Sequence, residues 1–116
     1  MTDRTTHRYC SVAQVAETIC SHDRLVFSHA AGAPRAIPAA LTERAKELTD
    51  VEIFHLLCLG DAPYTESSLK DHVRHNAGFA GSNTRLSIQE DRADFTPCFF
   101  YEIPRFFRSG IIPVDF

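Results

Sequence analysis

Nine consecutive residues, Val51 to Leu59 (VEIFHLLCL), constrain this chain more than any other segment. The run is almost continuously apolar and too short for a helix that must also bury a face. It therefore reads as a strand covered on both sides, the kind found inside a parallel sheet. A parallel sheet needs a crossover after every strand, and the flanking sequence supplies helices where crossovers belong.

Upstream, Ser11 and Gln14 have the spacing of a capping box, and Val12, Val15, Ala16 and Ile19 recur on one helical face. Asp23 and Arg24 close that helix before Leu25-Val26-Phe27, a short strand. A second helix enters through Pro34 or Pro38, with Ile37, Ala40, Leu41, Ala45 and Leu48 as its buried stripe. Glu43, Arg44, Lys46 and Glu47 are expected to face water.

Downstream, Glu66 to Asp71 suits a short helix, and Val73 to Ala80 a strand weakened by Asn76 and Gly78. Gly81 to Thr84 turns the chain, with Ser82 or Asn83 capping a helix to about Arg92. Asp94 to Phe100 forms a strand at a sheet edge or end, because Pro97 cannot donate a ladder hydrogen bond. A last helix carries Ile103, Phe106 and Phe107, with Pro104 early, Glu102 at its N-terminus and Gly110 as its stop. Ile111 to Val114 begins one more strand. The expected fold is a single α/β domain over residues 1–116: a three-layer, mostly parallel sheet with helices on both faces.

Length and charge narrow the function. The chain has 116 residues and a net charge of −3 with its basic residues scattered, which argues against a nucleic-acid surface. No apolar run approaches the roughly 20 residues of a membrane helix. Met1 to Arg8 has no apolar core of the kind a signal peptide needs, so the expected compartment is the cytoplasm. Cys10, Cys20, Cys58 and Cys98 are widely spaced, which favours four reduced structural thiols over a disulfide framework or a zinc site. His72 and His75 would point to opposite faces of a strand, and no His-Glu-x-x-His motif is present, so no metal is expected.

Ligands of open α/β sheets bind at the carboxyl ends of the strands. Three loops qualify: Ser28 to Pro34, Gly60 to Tyr64, and Gly81 to Arg85. Their small residues allow close backbone approach to an anion or carbonyl oxygen, and equally make plain tight turns. His29 stands at a strand exit, on the ligand side, whereas His55 reads as a satisfied core histidine. No nucleophile elbow, Walker loop or dinucleotide glycine motif is present, and no carboxylate stands out as a nucleophile.

Six stretches together carry a resemblance. They are Asp23 to Pro34 (DRLVFSHAAGAP), Leu57 to Tyr64 (LCLGDAPY), Arg74 to Asn76 (RHN), Gly81 to Arg85 (GSNTR), Glu90 to Pro97 (EDRADFTP) and Glu102 to Phe107 (EIPRFF). In order and spacing the chain resembles, from about Ser11 to Asp115, the N-terminal domain of the acetyl-CoA hydrolase/transferase family, especially 4-hydroxybutyrate CoA-transferases. The resemblance implies a two-domain enzyme with its active site between α/β halves. There a glutamate attacks an acyl-CoA to give a mixed anhydride, CoA becomes linked to that glutamate as a thioester, and an incoming carboxylate accepts it.

The family's glutamate lies in the C-terminal domain and has no match here, so no catalytic residue is assigned within this chain. The matching loops imply a pocket wall of His29, Ala31, Gly32, Gly60, Asp61, His75, Asn76, Gly81, Asn83 and Arg85, with Arg85 as a bidentate carboxylate partner. Coenzyme A enters as part of a substrate, and no covalently bound cofactor is expected. The family continues Pro113-Val114-Asp115 into further elements, so an uncovered sheet edge is expected, with a homo-oligomer or a C-terminal CoA-transferase half covering it. Two other expectations stand beside the truncated module: one chain of a split enzyme, and a non-catalytic acyl-CoA-binding or scaffold protein.

Overall fold

The computed structural model describes residues 9–116. The reading of Met1 to Arg8 lies outside the described residues. Helix α1 (Val12–Thr18) opens with the expected capping box: Ser11 Oγ accepts the Gln14 N–H at 3.2 Å, and Gln14 Oε1 accepts the Ser11 N–H at 2.8 Å. Its far end is closed from outside. Arg44, expected in water, is half-buried and donates from Nη1 to the carbonyls of Ala16 (2.6 Å) and Ile19 (2.8 Å). The last carbonyls of a helix lack partners within it, and a guanidinium supplies them.

Strand β1 (Arg24–Val26) leads through a loop to α2 (Ala36–Arg44), extended by a 3₁₀ turn at Ala45–Glu47. Strand β2 spans Val51–His55 and ends earlier than the apolar run, with one further bridge, Ala30 to Cys58, beyond it. The expected helix over 66–71 is two 3₁₀ turns, Pro63–Thr65 and Ser67–Leu69. Strand β3 (Val73–Ala77), helix α3 (Arg85–Gln89) and strand β4 (Ala93–Phe95) follow, all shorter than expected. Neither Ser82 nor Asn83 caps α3, which begins after Thr84 without a side-chain cap; the Asn83 amide is engaged elsewhere. A 3₁₀ turn at Phe100–Glu102 enters α4 (Ile103–Arg108), and Glu102 Oε2 accepts the Phe99 N–H at 2.9 Å. Gly110, at φ +72°, turns the chain out of the helix in a conformation that favours glycine.

The four strands are parallel in the order β1-β2-β3-β4, with Leu25, Ile53, His75 and Ala93 in one register row. One face of the sheet holds the core. Leu25, Val51, Ile53 and Val73 pack there against Ile19, Leu41, Ala45, Leu48 and Leu69, all buried. Each of these valine, leucine and isoleucine side chains contributes about 1.5–3 kcal/mol through burial. The opposite face carries α4, whose Phe107 meets Phe54 edge-on at 5.7 Å. Helices thus lie on both faces, as expected.

Beyond α4 no strand forms over 111–114; Ile112 is buried, and pairing begins at Asp115. The Val26 N–H donates to Phe116 O (3.0 Å), and the Phe116 and Asp115 N–H groups donate to Arg24 O. The Asp115 carboxylate also accepts the Arg24 N–H at 2.9 Å. The outer edge of β1 is therefore engaged by the chain's own residues. The four cysteines are unpaired: Cys10 and Cys20 exposed, Cys58 and Cys98 partly buried. No helix among the described residues is long and apolar enough to cross a membrane.

Candidate functional site

The loops after β1 and β2 are tied side by side. The Ala30 N–H donates to Leu57 O at 2.8 Å, and each loop contains an alanine in the left-handed region, Ala30 at φ 51° and Ala62 at φ 43°. Alanine rarely adopts this conformation, so surrounding contacts hold it there. The turn at Ala62 sends Pro63–Thr65 back toward the sheet, and Thr65 Oγ1 fastens it to Ala62 O at 2.8 Å. Tyr64 is thereby driven under the loops, where it is buried.

These loops, the first turn of α2 and Tyr64 enclose a cavity of about 360 Å³. Its walls are mainly apolar, with Phe27, Pro38 and Ala39 on the α2 side and Gly60 and Asp61 on the β2 side. Arg35 borders it where α2 begins, and no side chain caps that helix. Of the first-turn residues that line the cavity, Pro38 has no N–H and the Ala39 N–H is donated to Arg35 O at 3.2 Å, so the cationic group at this rim is the Arg35 guanidinium alone. Among the described residues no carboxylate lies within ion-pair distance of Arg35.

The polar residues of the lining are Ser28, Arg35, His55, Cys58, Asp61 and Tyr64. Tyr64 Oη lies 2.7 Å from His55 Nε2, and Cys58 lines the same cavity. Beneath them the His75 ring stacks on His55 with centroids 4.1 Å apart and planes 22° apart. His55 Nδ1 and both His75 nitrogens are buried without hydrogen-bond partners. Burial pushes His55 down to about 4, helped by His29, and His75 down to about 3, helped by His55. Burial, with Cys58 adding to it, pushes the Tyr64 phenol well above its ordinary range. The two imidazoles and the phenol are thus neutral near pH 7 and act through hydrogen bonds rather than charge.

A second cavity, of about 270 Å³, lies between the ends of β1 and β2 and helix α4. Phe54, Ile103 and Phe107 line it, and His29 borders it, set edge-on to Phe100 at 5.4 Å. Phe27, Ser28 and His55 belong to the walls of both cavities.

The expected site residues separate accordingly. Gly60 and Asp61 line the first cavity, and His29 the second. Ala31 and Gly32 are exposed beside Ala33 and Pro34, which do line the first. Asn83 Nδ2 donates to Gly60 O, and Gly81 sits so close behind Leu57 that a Cβ would lie 2.9 Å from Leu57 Cδ1. Gly81 and Asn83 thus shape the Gly60 loop from behind. His75 does not face a loop: it is fully buried under His55. Asn76 lies on the opposite sheet face, bonded to Glu52 and Thr96. Arg85 is exposed and lines neither cavity.

Arg35, His55, Cys58 and Tyr64 were missed by sequence reasoning. Tyr64 stood in the quoted LCLGDAPY stretch, but only the left-handed Ala62 turn reveals that it points inward. No group of three His, Cys, Asp or Glu side chains among the described residues is placed to hold a metal ion.

Residues 3–116 match the family of acetyl-CoA hydrolase/transferase N-terminal domains. The chain belongs to that family. It is 42% identical over 95 residues to a 4-hydroxybutyrate coenzyme A transferase of Clostridium kluyveri, an alignment covering 82% of this chain and 22% of that protein. It is 35% identical over 108 residues to a succinyl-CoA:cyclohexane-1-carboxylate CoA transferase of Geobacter metallireducens, covering 93% and 24%. Among solved structures, RipA from Yersinia pestis superposes with a TM-score of 0.79 at 19% identity, covering 91% of this chain and 27% of that one. A 4-hydroxybutyrate CoA-transferase from Porphyromonas gingivalis gives 0.66 at 29% identity, covering 91% and 22%. The chain spans about a quarter or less of the length of these curated relatives.

Proposed function

We propose that this acetyl-CoA hydrolase/transferase domain forms the acyl-carboxylate wall of a CoA-transfer site, with the 360 Å³ cavity receiving the acyl group. The observation that carries the reading is the pairing of an apolar cavity at the strand ends with the Arg35 guanidinium at its rim.

In such a site a glutamate carboxylate attacks the acyl-CoA thioester and expels CoA thiolate, leaving a mixed anhydride. The thiolate attacks the glutamyl carbonyl and releases the original acyl group as its carboxylate, leaving a glutamyl-CoA thioester. An incoming carboxylate attacks that thioester, and returning CoA thiolate then forms the new acyl-CoA and frees the glutamate. The residues of this domain hold and orient the carboxylate and keep water from the anhydride. The glutamate comes from a further segment of the protein or from a partner chain. Phe99, Phe100 and Tyr101, all exposed next to α4, are proposed to face that partner or a second copy.

The test is direct. Purified chain is expected to bind short carboxylates by calorimetry and to give no CoA transfer between acyl-CoA and acetate by chromatography. Turnover by the chain alone would show that it contains a nucleophile of its own. A second reading, a non-catalytic binding module, draws on the neutral hydrogen-bonding floor of the cavity; failure of any C-terminal CoA-transferase half to restore transfer would favour it.

A further inference from the structure

We infer that the mouth of the first cavity is zwitterionic, with Asp61 receiving an ammonium group beside the carboxylate held by Arg35, so that the cavity selects 2-amino acids with a short apolar side chain. This rests on the carboxylate reading above and adds a substrate class to it.

Two opposite charges line this cavity, Arg35 where α2 begins and Asp61 in the loop after β2. Both are exposed. They are not within ion-pair distance of each other, and among the described residues neither has another ion-pair partner. Their backbones, by contrast, are fastened. On one side of Asp61 the Gly60 carbonyl accepts from Asn83 Nδ2. On the other, the Ala62 carbonyl accepts from Thr65 Oγ1 at 2.8 Å and from the Thr65 N–H at 3.0 Å. Arg35 O likewise accepts the Ala39 N–H at 3.2 Å. Opposite charges on anchored backbone, each left unpaired, suit a ligand that brings both counter-charges itself.

Depth decides where the charges of the ligand lie. Arg35 and Asp61 stand at the exposed rim, whereas His55 and Tyr64 at the floor are 2% and 3% exposed and neutral near pH 7. An ammonium or a second carboxylate driven to that floor would lose its hydration with no opposite charge in return. The apolar body of the ligand therefore points inward, past Phe27 and Pro38. Its carboxylate stays at the mouth, where the attacking glutamate of the transfer reaction has to reach it. The carbon next to that carboxylate is then at the mouth as well. An ammonium on this carbon meets Asp61, and an ammonium at the far end of the chain meets the floor. The resulting order is 2-amino acid, then the same acid without its amino group, then an acid with the amino group at its far end.

Calorimetry of the purified chain at pH 7 and low salt with leucine, 4-methylpentanoate and 5-aminopentanoate tests this. Leucine is expected to bind about 3- to 5-fold more tightly than 4-methylpentanoate, the upper part of what one solvent-exposed ion pair supports, with 5-aminopentanoate weakest. Asp61→Asn should bring leucine and 4-methylpentanoate level, and Arg35→Gln should weaken both alike. High salt should shrink the wild-type preference without any substitution, which keeps the test open should Asp61→Asn fail to fold. Leucine binding no better than 4-methylpentanoate, a preference that survives in folded Asp61→Asn or is unchanged in high salt, or 5-aminopentanoate matching leucine overturns the inference and leaves the carboxylate reading standing. Absence of binding by all three overturns that reading and the inference with it.

Discussion

The two faces of the sheet are made by the same strands and solve opposite problems. On one, Leu25, Val51, Ile53 and Val73 are sealed beneath α1, α2 and the 3₁₀ turns, and two imidazoles are sealed with them. On the other, beyond the part covered by α4, Arg74 grips Asp94 through two bonds of 2.6 and 2.8 Å, and Asn76 links Glu52 to Thr96. The buried face derives its stability from exclusion of water, and the half-open face from polar groups that satisfy one another while still partly wet. A parallel sheet read as uniformly buried is in fact strongly asymmetric.

Acid should separate the faces most sharply. His55 and His75 are held neutral, with folded values of about 4 and about 3 against an ordinary 6.5. Their contribution is complete above about pH 6.5 and is lost as pH falls toward those folded values, because the unfolded chain binds the protons more readily. The slope approaches about 1.4 kcal/mol per pH unit for each imidazole. Asp94 acts in a lower window: its carboxyl, held down first by hydrogen bonds from Arg74, contributes above its ordinary 3.8 and loses that contribution only below it. Urea midpoints that stay level from pH 7 to 4.5 would break the comparison, and His75→Leu should flatten the upper window by about half.

Truncations come next. Ile53→Ala should cost about 2–5 kcal/mol by urea denaturation, the range for a cavity in a sealed core. Its neighbour Glu52→Ala, on the other face, should cost about 1 kcal/mol or less. Similar losses at both positions would mean that the second face is buried after all. Arg74→Ala is smaller still, at most about 1 kcal/mol and shrinking in high salt, because the ion pair is partly solvated. The smallest change lies on neither face: Ala62→Gly, which relaxes the left-handed turn, should shift stability by less than about 1 kcal/mol in the favourable direction.

What the sequence made legible was mostly local. The Ser11–Gln14 box, the Val51 strand, the edge placement implied by Pro97 and the stop at Gly110 each depend on neighbours in sequence, and each is found in place. The site was less legible because it depends on which side of a strand a residue takes and on what lies across from it. His75 and Asn76 are adjacent in sequence, yet strand alternation sends one into the core and the other to the polar face. Arg85 had the right chemistry in the wrong place, whereas Arg35, just beyond the small-residue loop Ser28 to Pro34, borders the cavity. Asn83 looked like a helix cap and instead supports the Gly60 carbonyl across the loop cluster.

The position of Tyr64 also gives the chain a built-in optical reporter. The chain contains no tryptophan and three tyrosines. Tyr9 and Tyr101 are 96% and 77% exposed, whereas Tyr64 is 3% exposed and hydrogen-bonded. The near-ultraviolet circular dichroism of tyrosine should therefore come mainly from one phenol at the base of the cavity, so occupancy could be followed without a label.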